Sequence, residues 1–359
     1  MSNKISSKKK KSISINPFIL FICIMAIAVI ATYFVTPGSF EREELDGKIV
    51  IVPDSYQAVD QEPLGFFSIF QAIPNGLAGA AEIIFLVMLV GGCLEVYNQT
   101  GSIDKGLSRI IGLSEKIGGA IILSGIMIVF ALIGGFLGWA EQIIPFIPLV
   151  ISLCIALGYD PIVGVAVSGL IDYLSFSASP TNVYTVGISH EIAGLPMFSG
   201  MGFRLVVLIV VNIVAQIYIL RYAKKVKEDP SKSLMAGIDT SDLETDYSSV
   251  INEKMTTNQI LSLLVFGVTF AVSIYGVSQR GWSFNDLSAA FVFSGIVAGL
   301  ICRLNPGKIA TSFVQGSQAA FGGAAVIGLA RGIQWLLEEG GLIDPIINGL
   351  SKPLMGLPI

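Results

Sequence analysis

A chain of 359 residues that is 53% hydrophobic and only 13% charged is too apolar for a soluble domain, where roughly a quarter of residues are charged. Its formal net charge of -4 and pI near 5.2 exclude the concentrated basic surface that nucleic-acid binding needs. With His190 as the one histidine and Cys23, Cys93, Cys154 and Cys302 placed singly, there is no material for a metal cluster, a disulfide framework or an imidazole-based hydrolase. The thiols read as small core hydrophobes.

At the N-terminus a basic patch, Lys4 and Lys8 to Lys11, precedes an apolar run over 15–35. The run has the length of a bilayer crossing and lacks a small-residue cleavage site, so it reads as a membrane helix rather than a signal peptide. Apolar runs predict spans near 16–36, 79–97, 203–221, 258–277, 286–303 and 320–338. Basic residues mark the cytoplasmic side of each span. Lys105, Arg109 and Lys116, then Arg221, Lys224, Lys225 and Lys227, then Arg303 and Lys308 all fit a cytoplasmic N-terminus, with the acidic segment 37–65 outside. The polar stretch 224–254 reads as a cytoplasmic linker.

Between 117 and 200 the pattern changes. Two apolar arms, roughly 119–133 and 143–157, have about 15 residues each and would reach only about 22 Å, short of a ~30 Å hydrocarbon core. They meet at Gly134-Gly135-Phe136-Leu137-Gly138-Trp139-Ala140-Glu141-Gln142, which reads as the tip of a re-entrant hairpin. Non-helical backbone at membrane depth is tolerated only where protein or a water-filled cavity satisfies it, and the glycines let the turn form and a ligand approach. Glu141 either meets a cation, a proton or a basic partner, or it caps the second arm through the helix dipole.

The next span, near 162–174, contains Asp172 and runs into Ser175-Phe176-Ser177-Ala178-Ser179-Pro180-Thr181-Asn182. Pro180 disfavours helix at Ser179, so the helix breaks there. Ser177, Ser179, Thr181 and Asn182 can coordinate a small ion or hydrogen-bond a carboxylate or amine; the alternative is an ordinary surface turn. Glu82 and Glu95 lie near the two ends of their helix and read as interfacial. Arg331, well inside its span, either neutralises Asp172 or Glu141 or binds a substrate carboxylate.

Sliding the chain on itself by 240 positions aligns Gly76 with Gly316, Ala80 with Ala320, Gly92 with Gly332, Gly101 with Gly341, Ile103 with Ile343 and Asp104 with Asp344. On the topology above the two copies run in opposite directions, the inverted-repeat construction of secondary transporters. The first copy continues through the hairpin and broken helix, whereas few residues follow Asp344. The second copy is therefore expected to be incomplete and the protein truncated at its C-terminus. The 359 residues alone are then expected not to transport, which uptake into proteoliposomes above an empty-vesicle control would refute.

These residues resemble the C4-dicarboxylate anaerobic carrier family of the ion transporter superfamily, and especially its YfcC-like branch of proposed basic amino-acid antiporters. The likeness covers almost the whole chain. It is carried by Gly138-Trp139-Ala140-Glu141-Gln142, by the stretch from Ser179-Pro180-Thr181-Asn182 through Ile188 into Ile192-Ala193-Gly194-Leu195-Pro196, by Phe203-Arg204, and by Ala330-Arg331-Gly332-Ile333. The resemblance implies an elevator-like or rocking carrier that holds substrate between hairpin tips and helix breaks. The branch often has two adjacent acids where this chain has Glu141 followed by Gln142, so a substrate assignment cannot rest on a double acid.

The expected fold is thus an all-α integral membrane protein, an inverted-repeat transporter with a re-entrant hairpin, a broken transmembrane helix and an incomplete second repeat. Its expected parts are a basic cytoplasmic terminus (1–15), a first repeat (16–221, hairpin about 117–157, broken helix about 160–200), a linker (222–257), and a linking helix with the start of the second repeat (258–359). The expected function is secondary transport, by antiport or symport, of an amino acid across a bacterial cell membrane. Basic amino acids such as arginine or ornithine lead, with C4-dicarboxylates or other carboxylates as the alternative. No paired-aspartate, His-Glu-x-x-His or nucleophile motif supports a membrane enzyme, and the repeat argues against a simple channel. Expected binding residues are Gly138, Trp139, Ala140, Glu141, Gln142, Asp172, Ser177, Ser179, Pro180, Thr181, Asn182 and Arg331. No cofactor is expected. Na+, near Ser179 and Asn182, or H+ is the candidate coupling ion, and the expected partners are a small-molecule substrate, the lipid bilayer and a second copy in a homodimer.

Overall fold

The computed structural model describes residues 16–45, 48–52, 55–182, 185–186, 189–190, 199–243 and 254–354. The basic patch at Lys4 and Lys8 to Lys11, residues 183–184, 187–188 and 192–196 of the resemblance, and 244–253 of the linker lie outside them. The chain divides into two compact units, Met1–Ala81 with Ala325–Ile359, and Glu82–Ala324.

In the first unit, helix Pro17–Ala31 starts on Asn16, whose side chain accepts from Phe18 N at 2.9 Å, with proline at the first helical position. It stops at Thr32, whose hydroxyl donates to Val29 O at 2.7 Å and accepts from Leu64 N at 3.1 Å. Two antiparallel ribbons come next. Strand β1 (Gly38–Ser39) pairs with β4 (Gln57–Ala58), and β2 (Arg42–Leu45) pairs with β3 (Lys48–Ile51). Helix Ser68–Gly79 packs its Gly76 against the backbone of Gly328 and Gly332 in the C-terminal part of helix Pro306–Glu339. This small-residue spacing lets two helix backbones approach closely. Met25, Val29, Ala72, Leu329 and Leu336 form the core beside it.

The second unit holds helices Ser102–Ile117, Gly119–Leu132, Ile147–Ala156, Pro161–Val165, Ile171–Ser177, Met201–Glu228, Thr257–Arg280 and Phe284–Ile301. It also takes in most of Ala81–Gln99 and the start of Pro306–Glu339. Helix Met201–Glu228 shows how the sequence meets lipid: Leu208, Asn212, Ile219, Ala223 and Val226 form one buried stripe. Phe203, Val214 and Tyr218 on its other faces are exposed. An apolar helix buried along a single stripe suits an acyl-chain surround. The core of this unit centres on Leu123, Met127, Trp139, Ile143, Phe146 and Phe291. Phe266 and Phe270 meet edge-on at 5.2 Å between centroids, and Phe146 lies tilted against Phe270 at 5.1 Å.

Among the described residues six helices are long and apolar enough to cross a membrane, Ala81–Gln99, Gly119–Phe136, Met201–Glu228, Thr257–Val277, Phe284–Ile301 and Pro306–Glu339. Two expectations change. The run expected as a span over 16–36 is helical for only 15 residues, because Thr32 closes the helix on Val29. The first hairpin arm, expected to be short, stays helical over 18 residues because a π turn, Ile133–Leu137, carries it onward. The protein is an all-α membrane protein in its spans, and among the described residues strands occur only in the segment after the first helix.

Both copies of the repeat turn alike. Gly101 has φ 67° and Gly341 φ 61°, each ending a long helix and preceding a shorter one, Ser102–Ile117 and Ile343–Leu354. This left-handed conformation is easily reached only without a Cβ.

Candidate functional site

Within the second unit the hairpin tip and the helix break meet. The π turn leaves the carbonyls of Gly135 and Phe136 without intrahelical partners. The break supplies them: Ser179 Oγ donates to Gly135 O at 2.5 Å and Thr181 Oγ1 to Phe136 O at 3.5 Å. The Ser179 hydroxyl also accepts from Thr181 N at 3.2 Å and Asn182 N at 2.8 Å, so it closes both segments at once. Gly138 has φ 65°, and a Cβ there would lie 2.7 Å from Asn182 Oδ1. A Cβ on Gly134 would lie 2.9 Å from Asp172 Oδ1. Glycine is thus required where the tip touches the break.

Asp172 is 0% exposed, and among the described residues neither carboxylate oxygen has a hydrogen-bond partner. The indole N–H of Trp139, 2% exposed, is likewise unpartnered. Glu141 is half-buried and close enough to act electrostatically on Asp172 and on Tyr173. It does not make the cap of the 3-10 turn Glu141–Phe146: Gln142 Oε1 accepts from Ala140 N at 2.9 Å instead. Ala140 and Pro180 are buried beside these groups.

Two expected residues stand apart. Ser177 is exposed and donates to Tyr173 O of its own helix at 2.9 Å. Arg331 belongs to the first unit, is exposed, and donates to Gln334 Oε1 at 2.5 Å, with its stem against Gly79. Among the described residues neither Asp172 nor Glu141 forms a salt bridge. Sequence reasoning missed Ser175 and Asn212, both buried, whose side chains meet at 3.0 Å. A lone amide in a long apolar helix was the signal for Asn212. Arg204, named in the sequence only as part of the resemblance, reaches His190 Nε2 at 2.8 Å and Ser199 O at 3.2 Å.

A cavity of about 550 Å³ opens in the same unit, walled in part by Ile144 and Pro145 of the 3-10 turn. Its ionisable lining is Glu95 and Asp104, with Asn98 and Ser152 as neutral polar groups and no basic side chain among the described residues. Asp104 lies in helix Ser102–Ile117, outside the candidate spans. Burial, and secondarily the Glu95 charge, push its pKa above the usual carboxylate value. No group of three or more histidine, cysteine or acidic side chains that could hold a metal occurs among the described residues.

The chain is similar in sequence to known proteins. A Haemophilus influenzae relative, described only as "Uncharacterized protein", is 30% identical over 315 residues, covering 87% of this chain and 62% of its own length. An Escherichia coli K12 relative, "Putative basic amino acid antiporter YfcC", is 26% identical over 381 residues, covering 94% of this chain and 74% of its own. The chain thus spans less than two thirds of the first relative. The crystal structure of the Alcanivorax borkumensis YdaH transporter aligns over 95% of this chain and 75% of that one, with a TM-score of 0.44 and 15% identity. The profile of the C4-dicarboxylate anaerobic carriers matches residues 16–358, so this multi-pass helical membrane protein belongs to the C4-dicarboxylate anaerobic carrier family.

Proposed function

We propose that the chain is part of a secondary active transporter of a bacterial cell membrane, with its N-terminus cytoplasmic, that carries basic amino acids such as arginine or ornithine. The observation that carries this reading is the charge of the tip. Asp172 and Glu141 lie together with no basic partner among the described residues, so the site lacks a cation. The neighbouring cavity, with Glu95 and Asp104 in its wall, has the same sign. Trp139 contributes a buried donor without an acceptor, and Asp172 an acceptor without a donor. An amino acid with a cationic side chain has both complements, a carboxylate for the indole N–H and a charged nitrogen for Asp172. Buried polar groups left unpaired in this way favour a ligand that pairs them.

The family description and Arg331 favour a second reading, a C4-dicarboxylate carrier, because a guanidinium binds a carboxylate through parallel donors. Displacement of labelled arginine from the purified protein in lipid nanodiscs separates the two. Ornithine is expected to compete and succinate not to. Succinate competing as well as ornithine would overturn the basic amino-acid reading. The coupling ion is H+ or Na+, and a homodimer is the proposed assembly.

A further inference from the structure

Asp172 is fully buried beside the Gly134 backbone, and among the described residues no donor reaches its carboxylate. The nearby hydroxyls are spent: Ser168 on Gly164 O, Ser175 on Ile171 O and Asn212, Ser179 on Gly135 O. Among the described residues, four elements make the main packing contacts with its helix. Helix Gly119–Leu132, the π turn Ile133–Leu137 and the turn Ala166–Leu170 contain no ionisable residue. Helix Met201–Glu228 presents Asn212 at this level and carries its ionisable groups toward its ends. There Arg204 is held by His190 and Ser199 O, Tyr222 by Asp160, and Lys227 by Leu157 O. Arg221, Lys224, Lys225 and Glu228 cluster at the same far end, with Tyr218 one turn before. On its own helix Asp172 has Tyr173, and across the tip it has Glu141, a charge of like sign. A buried carboxylate with no donor and no counter-charge is not stable as an anion; it binds a proton or a cation.

We infer that Asp172 holds a proton while the tip is closed and releases it when a cationic amino acid pairs with the same carboxylate. The inference rests on the transporter reading above and adds its coupling ion. The exchange balances: the carboxylic O–H proton leaves to water, and the ligand nitrogen, which keeps its own protons, takes its place as the counter-charge. Sodium fits less well, because the hydroxyl expected to bind it, that of Ser179, already makes three hydrogen bonds. Release requires the tip to move, since the Gly134 backbone lies against the carboxylate.

Two measurements on the full-length protein in nanodiscs test this. Infrared spectroscopy at neutral pH is expected to show a protonated-carboxyl band that Asp172→Asn removes and Glu141→Gln does not. Arginine added in weak buffer is expected to release about one proton per arginine bound, a release that Asp172→Asn abolishes and Asp172→Glu retains. Absence of the band, arginine binding without proton release, or displacement of arginine by sodium at constant pH would each overturn the inference while leaving the transporter reading intact. If the band is present and arginine does not bind, the proton on Asp172 stands and the basic amino-acid reading falls.

Discussion

Asp104 and Asp172 show how differently two acids of one unit are placed. Asp104 lines a cavity beside Glu95, and its raised pKa means that the folded state binds its proton more tightly than the unfolded state does. Between the ordinary carboxylate value and the raised one, the folded state therefore carries more protons, and stability falls as pH rises through that window. Asp104→Asn is expected to flatten this dependence, so that melting temperatures of variant and parent diverge in the variant's favour as pH rises past the usual carboxylate range. A parallel pair of melting curves would show that Asp104 does not act this way. The residues of the tip were legible one by one, because an acid or a proline in an apolar run is conspicuous. Which way each points was not. Ser168, Asp172, Ser175 and Ser179 recur at helical spacing and are all buried, whereas Ser177, two residues on from Ser175, falls on the far face. That periodicity was available in the sequence and selects Ser175 over Ser177.

At the level of elements, length was read less well than polarity. Hydropathy gives similar values for residues in a helix and in the turn that ends it, so it could not see that Thr32 stops one apolar run and that a π turn prolongs another. Both outcomes depend on single hydrogen bonds or on backbone pattern. Close helix contacts were better encoded. Gly76 faces Gly328 and Gly332, spaced four apart on one helix face, with no room for a side chain between the backbones. Gly76→Leu should therefore force these helices apart, at a cost of about 1–3 kcal/mol as for other overpacked sites. The measurement is thermal unfolding in nanodiscs, with Gly112→Leu, where a Cβ meets nothing within 4 Å, as control. Equal losses in both variants would refute the packing argument.

For the whole molecule, the repeat was the most informative reading, and the structure adds a conformational likeness in the paired left-handed glycines. It also adds a difference. Between helices Thr257–Arg280 and Pro306–Glu339 lies an inserted helix, Phe284–Ile301, whereas between Pro17–Ala31 and Ser68–Gly79 the described residues form two ribbons. An added crossing of this kind reverses the direction of every later span, which is how one sequence pattern can be used in both orientations. The paired aspartates have also diverged. Asp104 lines a cavity, while Asp344 is 5% exposed and receives both Phe40 N at 3.0 Å and the Arg42 guanidinium at 2.8 Å. Because the Arg42 side chain is 43% exposed but that of its partner Asp344 only 6%, Arg42→Ala leaves a buried carboxylate on the Phe40 N–H and is expected to cost about 1–3 kcal/mol. Its effect should be local, as faster amide exchange across β1 and β4. Unchanged exchange there would show that the ribbon is held without the ion pair.

The sequence contains only three tryptophans, Trp139, Trp282 and Trp335, and one of them is sealed in the tip against Phe270 at 6.1 Å between ring centroids. The protein therefore carries its own optical gauge. With Trp282→Phe and Trp335→Phe in place, emission reports Trp139 alone, blue-shifted while the indole is dry. Admission of water to the tip is expected to move that emission to the red, and a bound ligand that takes the indole N–H as donor is expected to reverse the move. An emission maximum that stays fixed under ligand, pH and temperature would mean that the tip does not open.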